Sequence, residues 1–260
     1  MRKGRPEIGH KVETIEYSPN QFERIFAGLD VLIITLGISR QNSEFTFFDV
    51  NYRIVSNAVD ASVKDGVKRV IYVSGLGVGP HNTESYFLSK YLAEEKIRKS
   101  GIEYFILRPS YIIGSGDEMT PYLIKKLLNN DTITVYGTGR YRLQPIYILD
   151  VCKLILKLIS VDFPSATIDV VGNEIITYRD YITLVAKVIG KRPRLVYRSL
   201  EEVIQAAMRT DNPEISVEEL EVLVSDFVSS CGVLKKYYEI TPTPLDSAVK
   251  KTVKDILMTH

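Results

Sequence analysis

Few folds can accommodate the segment from Arg69 to Gly116. It opens on an apolar run, Val70-Ile71-Tyr72-Val73, closed by Ser74-Gly75. A short β-branched run bounded by glycine reads as a buried strand. A polar loop covers 77–83. Tyr86-Phe87-Leu88-Ser89-Lys90 then begins a stretch of helical periodicity that reaches about Ser100 and stops at Gly101, as glycine just past a helix end often does. A second apolar run, Tyr104-Phe105-Ile106-Leu107, ends in Arg108-Pro109-Ser110. Strand, helix and strand at this spacing predict a βαβ unit with two parallel neighbours.

The candidate chemistry is Ser74, Tyr86 and Lys90. Tyr86 and Lys90 lie four residues apart and share one helix face. A phenol with a pKa of about 10 is a poor base at neutral pH, and a neighbouring ammonium favours the phenolate. Ser74 stands at the carboxyl end of its strand, where open α/β sheets bind ligands, and its hydroxyl is placed to hold a substrate oxygen beside the tyrosine. Such a set moves a proton on or off an alcohol while a cofactor moves the hydride. Tyr-x-x-x-Lys alone says little in a chain with 16 tyrosines. The other reading is a packed tyrosine and a solvated lysine.

The order is more specific than the pair: strand-Ser74, the Tyr86–Lys90 helix, strand-Arg108-Pro109-Ser110, then Tyr111-Ile112-Ile113-Gly114. In this order the chain resembles the extended and atypical short-chain dehydrogenase/reductases. It is most similar to their nucleotide-sugar epimerase/dehydratase and NmrA-like branches and to the related accessory subunit of respiratory complex I. The resemblance implies that Tyr86 is the acid/base, that Lys90 holds the nicotinamide ribose and that Ser74 orients substrate. It also implies that Val73, Pro109, Ser110 and Ile112 lie against the nicotinamide. Gly28-Leu29-Asp30-Val31-Leu32-Ile33-Ile34 looks like the family's fourth strand, with Leu36-Gly37 passing under the adenosine. Asn51 matches the asparagine that opens the next helix. Gln144-Pro145-Ile146-Tyr147 looks like the segment that returns to the substrate, which makes Arg140, Arg142 and Gln144 the candidate substrate contacts. Arg140 or Arg142 is suited to meet a phosphate there.

The front of the chain breaks the pattern. A dinucleotide fold begins with a strand, a glycine-rich turn and a helix whose N-terminus holds the pyrophosphate. No G-x-G-x-x-G or G-x-x-G-x-x-G occurs, and Met1-Arg2-Lys3-Gly4-Arg5 looks like the loop after the second strand. The first two strands are therefore expected to be missing, with binding of NAD or NADP weak or absent in the chain as given. Arg2 and Lys3 suggest NADP, since basic residues there meet the 2′-phosphate. Val12 to Tyr17 reads as a short strand, Ser18-Pro19 as a helix start, and that helix runs to about Ala27. The edge at Val31–Ile34 is then exposed and suits a homodimer.

At 260 residues the chain is one large domain with a small appended lobe. The expected fold is α/β: a doubly wound, Rossmann-like parallel sheet over 1–175, containing 31–35, 70–74, 104–108 and 167–171, and a mainly helical C-terminal lobe over 176–260. A helix is expected over 45–64, one over 121–130, a strand at 133–136, a helix over 150–160, one from Thr177 to Ile189, a short strand at 194–197 and three helices over 199–257. A net charge of +1 argues against nucleic acid as partner, and no apolar run approaches the ~20 residues of a membrane span. Cys152 and Cys231 form no spaced motif and read as reduced, mostly buried thiols of a cytoplasmic protein. His10, His81 and His260 are scattered, which leaves no metal cluster. Two functions remain in competition. One is an NAD(P)-dependent oxidoreductase or epimerase acting on a small molecule, with a nucleotide-sugar as one candidate. The other is a catalytically inactive member of the fold with a structural, regulatory or nucleotide-sensing role.

Overall fold

The computed structural model describes residues 24–41, 44–210 and 213–258. In chain order its strands are β1 (Val31–Ile34), β2 (Arg69–Val73), β3 (Glu103–Pro109), β4 (Ile112–Ile113), β5 (Thr132–Tyr136), β6 (Arg142–Leu143), β7 (Ile146–Tyr147), β8 (Ala166–Val170), β9 (Ile176–Thr177) and β10 (Arg194–Arg198). Its α-helices are α1 (Val55–Asp65), α2 (Ser85–Arg98), α3 (Met119–Leu128), α4 (Ile148–Ser160), α5 (Tyr178–Val188), α6 (Leu200–Ala207), α7 (Val217–Leu223), α8 (Val233–Tyr238) and α9 (Leu245–Met258).

The four strands expected from the apolar runs form one sheet in the order β1-β2-β3-β8, every pair parallel. Alternation decides the faces. Val70 and Tyr72 of β2 and Ile106 of β3 pack under α1 and α2, against Val55, Val59, Ala93 and Ile97. Ile71, Phe105 and Leu107 point the other way and pack with Ile168 and Val170 of β8 under α4 and α8, against Val151, Leu154, Leu158 and Leu234. Both faces of the central strands β2 and β3 are covered, so these read as continuous apolar runs. The carboxyl ends of β1, β2 and β3 lie side by side, where α/β sheets bind ligands.

A third cluster lies beyond these ends. It joins α3, α5 and α9 through Leu123, Leu127, Tyr181, Ile182, Val185, Val249 and Val253. β5 pairs in parallel with β10 beside it. Thr177 caps α5 by accepting from the Asp180 N–H, and Ser199 and Ser216 start α6 and α7 with capping boxes.

Several expectations need correction. The long helix over 45–64 begins as a π-helical segment, Phe48–Ile54, and only then becomes α1. The three helices expected after residue 199 are four, because Ser216 and Gly232 each start a new one. Cys152 and Cys231, expected to be buried, are both exposed. Of the helix expected to reach Ala27, residues 24–28 form turns. Its earlier part, the Val12–Tyr17 strand and the Arg2-Lys3 loop lie outside the described residues. No helix among the described residues is long and apolar enough to cross a membrane.

Candidate active site

A cavity of about 340 Å³ opens at the carboxyl ends of β1, β2 and β3. Leu36 and Gly37 line it from the loop after β1, Val73, Ser74 and Gly75 from the end of β2, Tyr86 and Lys90 from α2, and Pro109, Ser110 and Ile112 from the end of β3 onward. Thr35, Ile38, Ser39, Leu76, Tyr111, Val222 and Phe227 complete the wall. An open, apolar groove of about 410 Å³ adjoins it along β1 and the helix that ends in α1, sharing Thr35, Leu36 and Gly37. Among the described residues, that groove has no titratable side chain in its lining.

The helix α2 brings Tyr86, Lys90 and Glu94 onto one face, each four residues after the last. The Tyr86 ring is wedged edge-on between Phe47, with centroids 5.5 Å apart, and Phe87, at 5.2 Å. Burial pushes its phenol up to about 12. Lys90 is 5% exposed. Its Nζ sits 5.6 Å from the centre of the Tyr72 ring and 5.8 Å from that of Tyr86. It makes no hydrogen bond or ion pair with any described residue. Desolvation depresses its ammonium to about 8, against a smaller opposing pull from Glu94. The expected lowering of the tyrosine pKa by the lysine is therefore not what this arrangement gives: the ammonium lies over the ring face and burial dominates at both groups. A Cβ on Gly37 would lie 2.9 Å from Lys90 Nζ and 3.3 Å from Asn51 Oδ1, so a larger residue there would push the lysine's end aside.

Ser74 borders the cavity, and its hydroxyl is engaged by Glu94. It donates to Glu94 Oε1 at 2.7 Å. Glu94, fully buried, also accepts from Arg108 at 2.9 and 2.6 Å and from Arg98 at 2.6 Å. Ser74 continues the β2 ladder, its N–H donating to Leu107 C=O, so it takes the same face as Val70 and Tyr72, toward α2. The next residue has the better aim: a Cβ on Gly75 would lie 3.5 Å from the Tyr86 hydroxyl.

Four other expected contacts are placed elsewhere. Asn51 lies behind the cavity wall. Its Oδ1 accepts from Ile38 N–H at 2.8 Å, and its Nδ2 donates to Ile38 C=O and to Ser89 Oγ. It clamps the loop after β1 to α2, and both ends of its amide are spent. Arg142 is held by Asp226, at 2.9 and 2.7 Å through its guanidinium and at 2.6 Å through its N–H. Gln144 is buried and ties Gly172 C=O to the Ser229 N–H. Arg140 is exposed and does not border the cavity. Sequence reasoning missed Gly75, Glu94, Val222 and Phe227. Glu94 continues the Tyr86–Lys90 spacing by one more helical turn, a signal that was available.

The buried, unpartnered ammonium is the feature that asks for a ligand. A dinucleotide fits it: ribose hydroxyls would give Lys90 Nζ the acceptors that the protein withholds, and Val73, Pro109 and Ile112 offer flat apolar surface for a nicotinamide ring.

Known proteins share this architecture. A family described as NAD(P)H-binding matches residues 8–134. The mitochondrial NADH dehydrogenase [ubiquinone] 1 alpha subcomplex subunit 9 of Arabidopsis thaliana is 27% identical over 183 residues, covering 68% of this chain and 45% of that protein. The ceramide reductase of Caulobacter vibrioides is 25% identical over 180 residues, 69% of this chain and 56% of that protein. The chain thus spans about half the length of these curated relatives. The solved structure of MoeE5 with UDP-glucuronic acid and NAD superposes with a TM-score of 0.75 at 17% identity, covering 95% of this chain and 86% of that one. The parallel sheet, the cavity at its carboxyl ends and these relatives together support a likeness of this chain to the extended short-chain dehydrogenase/reductase-like superfamily.

Proposed function

We propose that this chain forms the cofactor-binding and proton-transfer part of an NAD(P)-dependent oxidoreductase, with Tyr86 and Lys90 as its working residues. The observation that carries the proposal is the buried Lys90 ammonium, unpaired among the described residues and facing the same cavity as the Tyr86 hydroxyl. A bound nicotinamide supplies hydride donation and acceptance. Tyr86 gives a proton to a carbonyl oxygen as that oxygen gains charge, or takes one from an alcohol. Lys90 holds ribose hydroxyls and, once they hydrate its ammonium, favours the phenolate that alcohol oxidation needs. Gly37 lets the chain pass close beneath the ligand. The adjoining groove, continuous through Thr35, Leu36 and Gly37, offers room for the rest of the dinucleotide.

Calorimetric titration with NADH and with NADPH is the first test. Saturable binding weaker than micromolar is expected, and its loss in Lys90→Ala. Tyr86→Phe keeps the ring and its packing but removes the transferable proton. It should retain cofactor affinity and lose about 10²–10⁴-fold in turnover. A change of only a few-fold would mean that Tyr86 merely packs.

A second reading is a non-catalytic nucleotide-sensing or scaffold protein. Gly75 beside Tyr86 and the high phenol pKa favour it, as does the likeness to the complex I subunit. Undetectable binding of both dinucleotides would leave this reading in possession.

A further inference from the structure

The substrate end of the cavity has a chemical character of its own. Its wall includes Leu76, Tyr111, Ile112, Val222 and Phe227, and among the described residues the sole charged side chain bordering the cavity is Lys90. Phe227 is the outer wall. It is 7% exposed, and its ring lies 6.2 Å from that of Phe87 and 5.6 Å, edge-on, from that of Tyr111.

Phe227 is held firmly. Its N–H donates to Arg142 C=O at 2.7 Å, and its C=O accepts from Ser110 Oγ at 2.8 Å. Two residues on, Ser229 donates through its N–H to Gln144 Oε1 and through its hydroxyl to Asp169. This strap crosses the ends of β3 and β8, so the ring is a fixed wall.

Three arginines of the surrounding loops and strands are committed. Arg142 is neutralised by Asp226 and Arg108 by Glu94. Arg40 is paired with Glu219. A diphosphate entering here would exchange water for aromatic and aliphatic surface, and burying a charge without a partner is costly.

We infer that this end of the cavity takes an apolar ketone or secondary alcohol and excludes nucleotide-diphosphate sugars, and that Phe227 is the residue that sets the length of the group accepted. The inference rests on the oxidoreductase reading for the words ketone and alcohol; the apolar character and the wall stand apart from it.

The test uses the whole chain and needs no turnover. The neutral fluorophore N-phenyl-1-naphthylamine, bright in apolar surroundings, is bound and then displaced by a series of 2-alkanones from 2-butanone to 2-undecanone, and separately by UDP-glucose. Each added methylene should tighten displacement about three- to four-fold, up to a chain length at which the gain stops. Phe227→Ala should move that length outward by two or more carbons, and Phe227→Leu, which keeps a packed wall, by about one. UDP-glucose should displace nothing at concentrations where 2-octanone displaces fully. Displacement by UDP-glucose, a flat alkanone series, absence of fluorophore binding, or a cutoff unmoved in both folded variants would each overturn the inference. Near-ultraviolet circular dichroism checks that the variants are folded; if Phe227→Ala is not, Phe227→Leu decides. The cofactor reading fails separately, through the NADH and NADPH titrations, and that failure leaves the alkanone result readable.

Discussion

Replacing Lys90 by methionine should make the protein more stable while removing the dinucleotide binding proposed for it. The ammonium is 5% exposed and has no hydrogen-bond acceptor among the described residues. Its pKa falls from 10.5 to about 8, mainly through desolvation. At about 1.4 kcal/mol per pH unit, that gap makes the charge cost about 3 kcal/mol at neutral pH. Methionine keeps an unbranched apolar stem in the same space, so Lys90→Met should recover up to about 3 kcal/mol. For a chain of this size, at ~2–4 °C per kcal/mol, the melting temperature at pH 7 should rise on the order of 5–10 °C. The pH dependence has a definite sign. Between pH 8 and 10.5 the unfolded chain still binds the proton that the folded chain has released, so wild-type stability rises with pH across that window. The variant has no such group, and its advantage should shrink toward zero by about pH 10. Above pH 10 the high phenol pKa of Tyr86 acts on both proteins alike: the unfolded tyrosine ionises first, and stability falls. Melting curves of both proteins at pH 7, 8, 9 and 10 test this. A variant no more stable than wild type at pH 7, or an advantage unchanged from pH 7 to pH 10, would refute the reasoning. If stability rises while NADH affinity is unchanged, Lys90 is buried for some reason other than a ligand.

Two structural predictions follow from the same surroundings. Glu94→Ala leaves the Arg108 guanidinium and the Ser74 hydroxyl without their shared partner and Arg98 with only Glu95 and Thr167; the expected loss is about 3–5 kcal/mol, read as a fall in melting temperature on the order of 10 °C, and a fall under 2 °C would show that water reaches the cluster. Gly172→Ala places a Cβ 2.1 Å from the Pro145 carbonyl oxygen, which is backbone; it should separate the β8 end from the Gln144 segment and cost more than about 3 kcal/mol, within the range of the severe single substitutions, and an unchanged denaturant midpoint would contradict that packing.

How much of this was legible in the sequence depends on how local each determinant is. The sheet was legible because its central strands are buried on both faces, which writes them as apolar runs at Val70–Val73 and Tyr104–Leu107, while the edge strands still carry mainly apolar residues at Val31–Ile34 and around Ile168 and Val170. Tyr86 and Lys90 were legible because a helix repeats its face every four residues, so two positions in one short stretch already fix a shared face. The double burial that reveals a strand also hides its parity. With no polar alternation along Val70–Val73, nothing local says whether Ser74 or Gly75 will face the tyrosine. The answer came from the ladder itself: Ser74 bonds on to Leu107, keeps the face of Tyr72, and finds Glu94.

The substrate end lies further still beyond local reading. Arg142 looked like a phosphate ligand until Asp226, 84 residues later, proved to hold it. Val222 and Phe227 sit in no motif, and only the strap's bonds to Ser110, Arg142 and Gln144 bring that stretch to the cavity. The division is physical. The pair proposed to handle the proton is placed by one helix, so its identity survives in a short pattern. The wall proposed to choose the substrate is placed by tertiary hydrogen bonds between segments more than 80 residues apart. On that proposal, a change in substrate preference can come from residues near 227 alone, with Tyr86, Lys90 and the sheet untouched.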